Sequence, residues 1–328
     1  MSININFVEY EIIKQLGGGG YGKVNLVLNK SDNKNYALKE IPIKDETKEN
    51  IEKIKKEAEI LSKFNHKNIV KYYASFELED KFYILMEYCD GKDINYIINK
   101  HKKKSELIEE KLIYYIIYQI CLGIKEIHNK QVIHRDLKPE NIFMNKNNEI
   151  KIGDFGISKE LNSYKKYTKT NKKQGTLYYT SPEILNEGIY NDKADIWSLG
   201  CIIYELFHLS THFLDNMMQD IKQIDNQIYN KKWQDLIDSL LQIDYNNRPD
   251  INYIVDFISC DELKKIDNND DSNKNSNEIN NNVYNLDKKV KIKKIIRKLN
   301  KAEINEITRL GNIKRIRSKY KSILYIIY

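Results

Sequence analysis

The first third of the chain contains short runs in which residues are apolar or alternate between apolar and polar, with polar or glycine-rich turns between them. Alternation with a period of two is typical of β-strands that bury one face. These runs predict strands at 8–16, 24–28, 36–39 and 82–86, and the last of them is wholly apolar. The N-terminal region is therefore predicted to be rich in β-structure.

A different period appears between residues 50 and 64, where apolar residues recur every three to four positions. That spacing places them on one face of a helix. Further along, short apolar runs at 142–144 and 150–152 are separated by a polar turn, which predicts a small hairpin. The predicted helical face consists of Ile51, Ile54, Ala58 and Leu61.

The hairpin lies between two charged motifs. Residues 134–141 read HRDLKPEN, and residues 154–156 read DFG. The two strands between them can bring the side chains of both motifs into one small volume. Phosphoryl transfer needs a carboxylate on the attacking hydroxyl, a cation on the moving phosphate and oxygen ligands for magnesium. The residues of these types are Asp136, Lys138, Asn141 and Asp154.

A glycine cluster near the N-terminus is a second candidate for phosphate binding. Residues 17–24 read GGGGYGKV, which contains G-x-G-x-x-G-x-V between two predicted strands. Glycines let backbone N–H groups approach phosphate oxygens because no Cβ stands in the way. A dinucleotide-binding loop would be followed by a helix, whereas residues 24–28 alternate as a strand. The arrangement therefore favours binding of a triphosphate.

Taken in order, these motifs resemble those of the eukaryotic protein kinases. Further matches follow along the chain, with GT at 175–176, SPE at 181–183 in place of the more usual APE, and DIWSLG at 195–200. Arg248 resembles the late arginine whose guanidinium pairs with the glutamate of the SPE motif. The resemblance extends over roughly residues 8–258.

The resemblance implies an α+β, bilobal protein-kinase fold, with a small β-rich N-lobe and a larger, mainly helical C-lobe. Beyond the kinase domain, composition predicts a C-terminal helical or disordered tail, since an Asn/Asp-rich stretch cannot bury enough apolar surface to order itself. The expected boundaries are a kinase domain at 8–260 (N-lobe about 8–86, hinge 87–91, C-lobe 92–260), a disordered linker at 261–287 and a basic amphipathic tail at 288–328.

The resemblance also implies catalytic roles for single residues. Asp136 would accept the proton of the substrate hydroxyl or orient that hydroxyl, and Lys138 would neutralise the γ-phosphate. Asn141 and Asp154 would hold Mg²⁺. Thr176 would hydrogen-bond the catalytic aspartate and lysine.

The ATP site implied by the resemblance is built mainly from the N-lobe and the hinge. Lys39 would grip the α- and β-phosphates and pair with Glu57, with Glu59 as a solvated surface charge. Asp93 would contact the ribose, although an acid that caps a helix is the alternative interpretation. The remaining predicted ATP-binding residues are Gly17, Gly18, Gly19, Gly22, Val24, Ala37, Met86 as gatekeeper, and Glu87 and Cys89 through their backbone groups.

Within the kinases, lysine at position 138 and threonine at position 176 resemble the serine/threonine type. The runs at 153–159 and 178–183 are most similar to the NIMA-related kinases. The implied activity is ATP- and Mg²⁺-dependent transfer of the γ-phosphate to Ser or Thr hydroxyls of protein substrates. The alternatives are a serine/threonine kinase of another subfamily, and a pseudokinase or scaffold that binds nucleotide without transfer.

Regulation by phosphorylation is expected from the residue before the catalytic aspartate. In kinases with an arginine there, here Arg135, that arginine often holds a phosphorylated activation segment. The position three before Gly175, where many relatives carry the phosphate, is Lys172. Either Thr168 or Thr170 takes its place, or the segment orders without phosphate.

The basic charge of the chain is a property of its tail. From residue 288 onward there are fourteen Lys or Arg and two Glu, a net of +12 against +7 for the whole chain, which leaves −5 for residues 1–287. No nucleic-acid partner is therefore expected. The tail would lie on an anionic membrane surface, bind a calmodulin-like partner, or dock on the acidic kinase domain as an autoregulatory element. The alternative is a helix that merely fills a groove of the C-lobe, or a frayed tail. Its apolar face is formed by Ile292, Ile295, Ile296 and Leu299.

Cysteine usage and hydropathy bear on location. Four cysteines show no paired spacing, and the chain has no predicted signal peptide and no apolar run of eighteen residues. An intracellular, cytoplasmic protein is expected, with the nucleus as an alternative.

Overall fold

The structure is a computed structural model that describes residues 9–19, 22–160, 168–169, 177–211, 223–225 and 227–268. The chain divides into two units, residues 1–263 and 264–328. Of the second unit, the structure describes only 264–268, at the end of the last helix. The predicted basic tail and most of the predicted linker lie outside the described residues.

The N-lobe is built on a five-stranded antiparallel sheet of order β1-β2-β3-β5-β4. The four strands predicted for the N-terminal region lie in this sheet, together with β4, which was not predicted. Each of the four extends beyond its predicted run at one or both ends, because the polar or glycine residues there also pair. The strands are β1 (Tyr10–Gly19), β2 (Gly22–Asn29), β3 (Lys34–Pro42), β4 (Tyr72–Leu78) and β5 (Lys81–Glu87).

The apolar strand β5 supplies both faces of the sheet with buried side chains. Phe82 and Ile84 belong to the main core, whereas Tyr83 and Leu85 lie in a second, smaller cluster on the other face. This division follows from the two-residue period of a strand. A strand buried on both sides explains why its sequence is continuously apolar.

Helix α1 (Lys48–Ser62) packs in the same main core as Phe82 and Ile84. It begins after Thr47, whose side chain accepts a hydrogen bond from the backbone N–H of Asn50. This is the capping expected of a threonine in that place. The predicted apolar face is the one that packs inward, since Ala58 and Leu61 are buried and Ile51 and Ile54 pack against the core.

The C-lobe is mainly helical, so the predicted α+β, two-lobed architecture is confirmed. Its central helix, α5, is buried along nearly its whole length. Among the described helices, none has the length and apolar content needed to cross a bilayer. The helices are α2 (Ile94–Lys104), α3 (Glu110–Asn129), α4 (Pro182–Glu187), α5 (Asp192–His208), α6 (Lys232–Leu240) and α7 (Ile251–Asn268).

Helix α7 continues past residue 260, where the domain boundary was predicted. Residues 261–268 are helical, although they were expected to begin a disordered linker. The physical reason is that residues 261–266 read DELKKI, which contains good helix formers, and the Asn/Asp-rich composition begins only afterwards.

Three pairs of short strands complete the described structure. The predicted hairpin is formed by β7 (Ile142–Met144) and β8 (Ile150–Ile152), which pair antiparallel. The remaining two pairs connect segments far apart in sequence. They are β6 (Val132–Ile133) with β9 (Lys159–Glu160), and β10 (Thr168–Lys169) with β11 (Ile189–Tyr190).

Candidate active site

The loop that follows β6 carries the first group of predicted catalytic residues. Asp195 holds the backbone of this loop in place. The Asp195 carboxylate, at the start of α5, accepts hydrogen bonds from the backbone N–H groups of His134 and Arg135 at 2.9 Å each. Arg135 adopts a φ of 72°. Burial alone would raise the pKa of Asp195, but the hydrogen bond from His128 and those from the backbone hold it below its usual value.

Three predicted residues of this loop form one hydrogen-bonded group. The Asp136 carboxylate accepts from Lys138 Nζ at 2.7 Å and from Asn141 Nδ2 at 3.0 Å. Asn141 Nδ2 also donates to the backbone oxygen of Asp136 at 2.8 Å. Since a carbonyl oxygen can only accept, this bond directs the amide nitrogen toward Asp136 and the amide oxygen away from it.

Asp154 follows β8, directly after Gly153, whose backbone N–H donates to Asn141 O at 2.9 Å. Its backbone φ is 58°, and its Oδ1 is 3.4 Å from Lys39 Nζ. Burial would raise the pKa of Asp154, but the Lys39 amine and the nearby His134 ring lower it below the usual range. The next residue, Phe155, is buried and packs between the rings of His134 and Phe64. The carboxylate is therefore held ionised at a fixed place.

Lys39 connects the sheet to helix α1. Its Nζ donates to Glu57 Oε1 at 2.6 Å, and the two side chains are only 12% and 8% exposed. Burial alone would lower the pKa of Lys39, but the carboxylates of Glu57 and Asp154 raise it above its usual value. Glu59 lies elsewhere, in contact with Lys56 and Lys63. Of the two candidate partners for Lys39, the structure thus places Glu57 beside it.

The described glycines of the motif lie at the facing ends of β1 and β2, with Gly17–Gly19 ending one strand and Gly22 beginning the next. Gly22 has a φ of +116°, and a Cβ there would lie 2.2 Å from the backbone oxygen of Glu40. No other residue type fits without displacing β3. At Gly17 a Cβ would meet nothing within 4 Å, so space lies open beside the loop.

Strand registers place the other predicted N-lobe residues on one face. Val24 pairs with Lys39, and Ala37 pairs with Met86. Since Ala37 and Lys39 are two apart in β3, all four side chains point to the same side of the sheet. This is the side on which Lys39 meets Asp154.

Comparison with known proteins agrees with this geometry. The model of the protein kinase domain matches residues 10–257. The chain belongs to the protein kinase family.

Its curated relatives include three serine/threonine-protein kinases named Nek, which confirms the similarity to NIMA-related kinases. The human kinase Nek5 is 39% identical over 256 residues, which is 75% of this chain and 36% of that protein. Mouse Nek3 is 40% identical over 248 residues, 73% of this chain and 47% of that protein. The probable kinase nek3 of Dictyostelium discoideum is 38% identical over 292 residues, 84% of this chain and 26% of that protein. This kinase chain spans less than half the length of each.

The predicted hinge of the kinase lies at the end of β5. The backbone N–H of Glu87 donates to Lys71 O at 2.8 Å, so an adenine contact from Glu87 would come from its carbonyl oxygen. Its side chain pairs with Lys151 Nζ at 2.9 Å. Cys89 follows, and burial raises the pKa of its thiol to about 12, which keeps the thiol protonated.

Asp93 caps helix α2. Its Oδ1 accepts a hydrogen bond from the backbone N–H of Tyr96 at 2.7 Å. The capping interpretation therefore has a contact in the structure, and the ribose contact stays a prediction.

Three predicted residues of the activation segment cannot be placed by their side chains. Thr170 and Thr176 lie outside the described residues. The backbone of Thr168 is described and pairs with Tyr190 in β10 and β11. Their regulatory and catalytic roles stay predictions.

The side chains present fit ATP and Mg²⁺. Within the described ranges, no cluster of three or more His, Cys, Asp or Glu could hold a metal alone. Mg²⁺ is commonly bound through one or two carboxylates together with substrate phosphates. The carboxylate of Asp154 and the amide oxygen of Asn141 are ligands of that kind, and the open space beside Gly17 leaves room for phosphates.

Sequence reasoning missed three charged contacts around this site. It matched Asp195 as the first residue of the DIWSLG motif without predicting that it anchors the catalytic loop. It also missed the pair between Lys151 and Glu87, although a lysine within the apolar run of β8 was a signal of a buried ion pair. The third contact joins Glu160 to Lys63.

Proposed function

We propose that this kinase transfers the γ-phosphate of Mg·ATP to Ser or Thr hydroxyls of protein substrates. The observation that supports it is the convergence of two hydrogen-bonded groups, one formed by Lys39 and Glu57 and the other by Asp136 with Lys138 and Asn141. Asp154 lies 3.4 Å from Lys39, and the residue before it, Gly153, donates its backbone N–H to Asn141 O at 2.9 Å, so the two groups are connected through this segment. A pseudokinase would be expected to lack one of these residues.

In the proposed mechanism, the protein mainly positions groups and stabilises charge. Lys39, held by Glu57, contacts the α- and β-phosphates. Bound Mg²⁺ would neutralise charge on the phosphate oxygens, and Asp154 and Asn141 are the residues that would hold it. Lys138 lies beside Asp136 and can meet the negative charge that develops on the transferred group.

Asp136 accepts or orients the substrate hydroxyl in this mechanism. Its carboxylate is held by Lys138 and by Asn141, so its direction is fixed before substrate arrives. A loose transition state needs little base strength. Correct placement of the hydroxyl therefore contributes more to the rate than the base strength of Asp136 does, since orienting the reacting groups lowers the barrier.

Preference for Ser and Thr over Tyr is supported by Lys138 and by the relatives, which are named serine/threonine-protein kinases. Thr176 would add a hydrogen bond to the catalytic group. We expect a peptide library with Ser, Thr and Tyr acceptors to be phosphorylated on Ser and Thr, as measured by mass spectrometry.

The mechanism is tested with Asp136→Asn and Lys39→Met. We expect both variants to lose transfer to the peptide library, with melting temperatures close to that of the wild type. Asp235→Asn, which changes an exposed carboxylate on α6, is the matched control and should keep full activity. Transfer retained by either active-site variant would contradict the assigned roles.

We also propose that Thr168 or Thr170 is the phosphate acceptor of the activation segment and that Arg135 responds to that phosphate. The basic character of the segment supports this, since added phosphate would neutralise nearby lysines. Intact-mass measurement before and after incubation with ATP, together with Thr168→Ala and Thr170→Ala, tests it. Unchanged mass would mean that the segment orders without phosphate.

For the basic segment 288–328 we propose an anionic partner, which is an acidic membrane surface, a calmodulin-like protein or the acidic kinase domain. Its net charge of +12 and the apolar face that its sequence predicts support each of these. Sedimentation with anionic vesicles, binding to calmodulin and the activity of a chain ending at residue 268 separate them.

We propose that the kinase acts in the cytoplasm, with the nucleus as the alternative, and imaging of a fluorescent fusion tests this.

A further inference from the structure

Four charged side chains connect the end of helix α1 to the segment after the DFG motif. Lys56 and Lys63 come from α1 and its C-cap, and both approach Glu160 Oε1 of strand β9. The Lys63 amine is hydrogen-bonded to that oxygen, and the Lys56 amine is 3.4 Å from it. Glu59 accepts a hydrogen bond from Lys56 at 2.9 Å and forms an ion pair with Lys63 at 3.3 Å. We call these four residues the α1–β9 cluster.

The backbone of Glu160 is held by the strand that leads into the catalytic loop. Glu160 pairs with Val132 of β6, two residues before His134. Next to it, the Ser158 hydroxyl donates to His134 O at 3.0 Å. Glu160 is therefore fixed to the catalytic loop by its main chain and to helix α1 by its side chain.

The cluster acts on the same helix that supplies Glu57. Lys56 is adjacent to Glu57 in sequence, and Lys63 lies less than two turns beyond it. While Glu57 points inward to Lys39, the two lysines point to Glu160. Rotation of the helix away from Lys39 would also pull these lysines from their carboxylate.

We propose that Glu160 is a positioning residue, whose fixed carboxylate does for helix α1 what a phosphate on the activation segment would do. An anion held between two lysines supplies the kind of charge contact that phosphorylation creates. The kinase would then keep the Lys39–Glu57 pair in its unphosphorylated form and have basal activity. This inference rests on the proposed kinase function.

Because the α1–β9 cluster is partly exposed to solvent, a change at Glu160 should lower activity only moderately. Glu160, Lys63 and Lys56 are 30%, 36% and 43% exposed, and partly exposed ion pairs are weakened by water and salt. We expect reversal of the charge in Glu160→Lys to lower kcat/KM of the unphosphorylated kinase about fivefold, which at about 1.4 kcal/mol per factor of ten is about 1 kcal/mol. Glu160→Gln should have a smaller effect in the same direction.

The test uses the full chain after phosphatase treatment, with intact mass confirming the absence of phosphate. Initial rates on a Ser/Thr peptide and amide hydrogen exchange of residues 48–62 without nucleotide are measured for the wild type and Glu160→Lys. A charge-swapped variant adds Lys56→Glu, Glu59→Lys and Lys63→Glu to Glu160→Lys, so that all four charges of the cluster are reversed. Glu49→Gln removes the carboxylate of an exposed pair at the other end of α1 and is the matched control.

We expect Glu160→Lys to be less active and to exchange faster in α1, the charge swap to return both to within about twofold of wild type, and the control to match wild type. The inference is overturned if Glu160→Lys equals wild type in rate and exchange, if the swap restores neither, or if the wild type is active only when phosphorylated. Absence of transfer in every phosphorylation state would instead reject the proposed function, and the exchange data would still decide whether Glu160 holds α1.

Discussion

The catalytic loop in the C-lobe and helix α1 in the N-lobe supply the two halves of the site, and they are held by different contacts. The loop rests on Asp195, which is fully buried and accepts two backbone hydrogen bonds of 2.9 Å each. Helix α1 is held by an apolar face, by the pair of Glu57 with Lys39, and by the partly exposed α1–β9 cluster.

The comparison shows where this kinase can change shape at low cost. Moving the catalytic loop would leave the backbone N–H groups of His134 and Arg135 and the buried Asp195 carboxylate without hydrogen-bond partners. Leaving such buried groups unpaired costs free energy of folding. Moving α1 would break one buried pair, that of Lys39 with Glu57, while its other charged contacts are partly exposed and would be replaced by water. Control of the site should therefore lie in the position of Glu57, while Asp136 stays in place.

The largest loss of stability is expected in the C-lobe, from removal of Arg248. Its guanidinium forms two 2.8 Å bonds with the Glu183 carboxylate and lies 4.9 Å from the ring of Trp197, fully enclosed. We expect Arg248→Ala to destabilise the kinase by about 3–5 kcal/mol, because the buried Glu183 charge loses its partner. Urea unfolding measures this. Lys30→Ala, which breaks an exposed pair with Glu11, should change stability by less than about 0.5 kcal/mol and is the control.

A substitution on helix α1 should change the activity of the kinase more than its stability. We expect Glu57→Gln to lower kcat/KM about a hundredfold, since Lys39 would lose the partner that fixes its position. Steady-state kinetics and thermal melting of the same sample provide the measurement. Equal activity in the variant and the wild type would show that α1 does not control phosphate positioning.

The acid stability of the kinase tests the anchor of the catalytic loop. The pKa of Asp195 is lowered in the folded state, so its contribution is present above the usual aspartate pKa of about 4 and is lost as pH falls through the lower folded value. We expect Asp195→Asn to cost about 2 kcal/mol at pH 7, because a charged acceptor is lost. The difference from wild type, measured by urea unfolding, should shrink toward pH 3. A pH-independent difference would rule out this anchor as a charge effect.

The smallest effect is expected at Ser181, where the family usually has alanine. The residue is fully buried, and its hydroxyl has no hydrogen-bond partner in the described part of the chain. We expect Ser181→Ala to stabilise the kinase by up to about 1 kcal/mol, because an unpaired buried hydroxyl is removed. Ser198→Ala is the matched control and should destabilise, since Ser198 donates to Tyr179 O at 2.8 Å. Destabilisation by Ser181→Ala would mean that its hydroxyl has a partner.

The parts of the site that sequence could predict are those defined within one local segment. The order HRDLKPEN, hairpin and DFG places Asp136 and Asn141 before one short antiparallel pair of strands and Asp154 directly after it. The period of residues 50–64 likewise predicted which face of α1 is buried. Periodicity and turn chemistry act over short distances, so these features can be read directly.

The contacts that sequence could not predict join residues far apart in the chain. Glu160 and Lys63 are 97 positions apart, and Glu87 and Lys151 meet only after the hinge and β8 have been placed. The sequence alone does not show which lysine a given glutamate pairs with, because the chain contains many residues of either charge. The predicted start of the linker at residue 261 differs from the structure for a simpler reason, because the Asn/Asp-rich composition begins only after residue 266 and α7 extends to Asn268.

The central claim is that Lys39, Glu57, Asn141 and Asp154 form one Mg·ATP site. Calorimetric titration of the purified chain with ATP, with and without Mg²⁺, tests it most directly when Asp154→Asn is run beside the wild type. We predict that the wild type binds ATP more tightly when Mg²⁺ is present and that this gain is lost in Asp154→Asn. No uptake of ATP by the wild type, or an equal gain from Mg²⁺ in both proteins, would contradict the account.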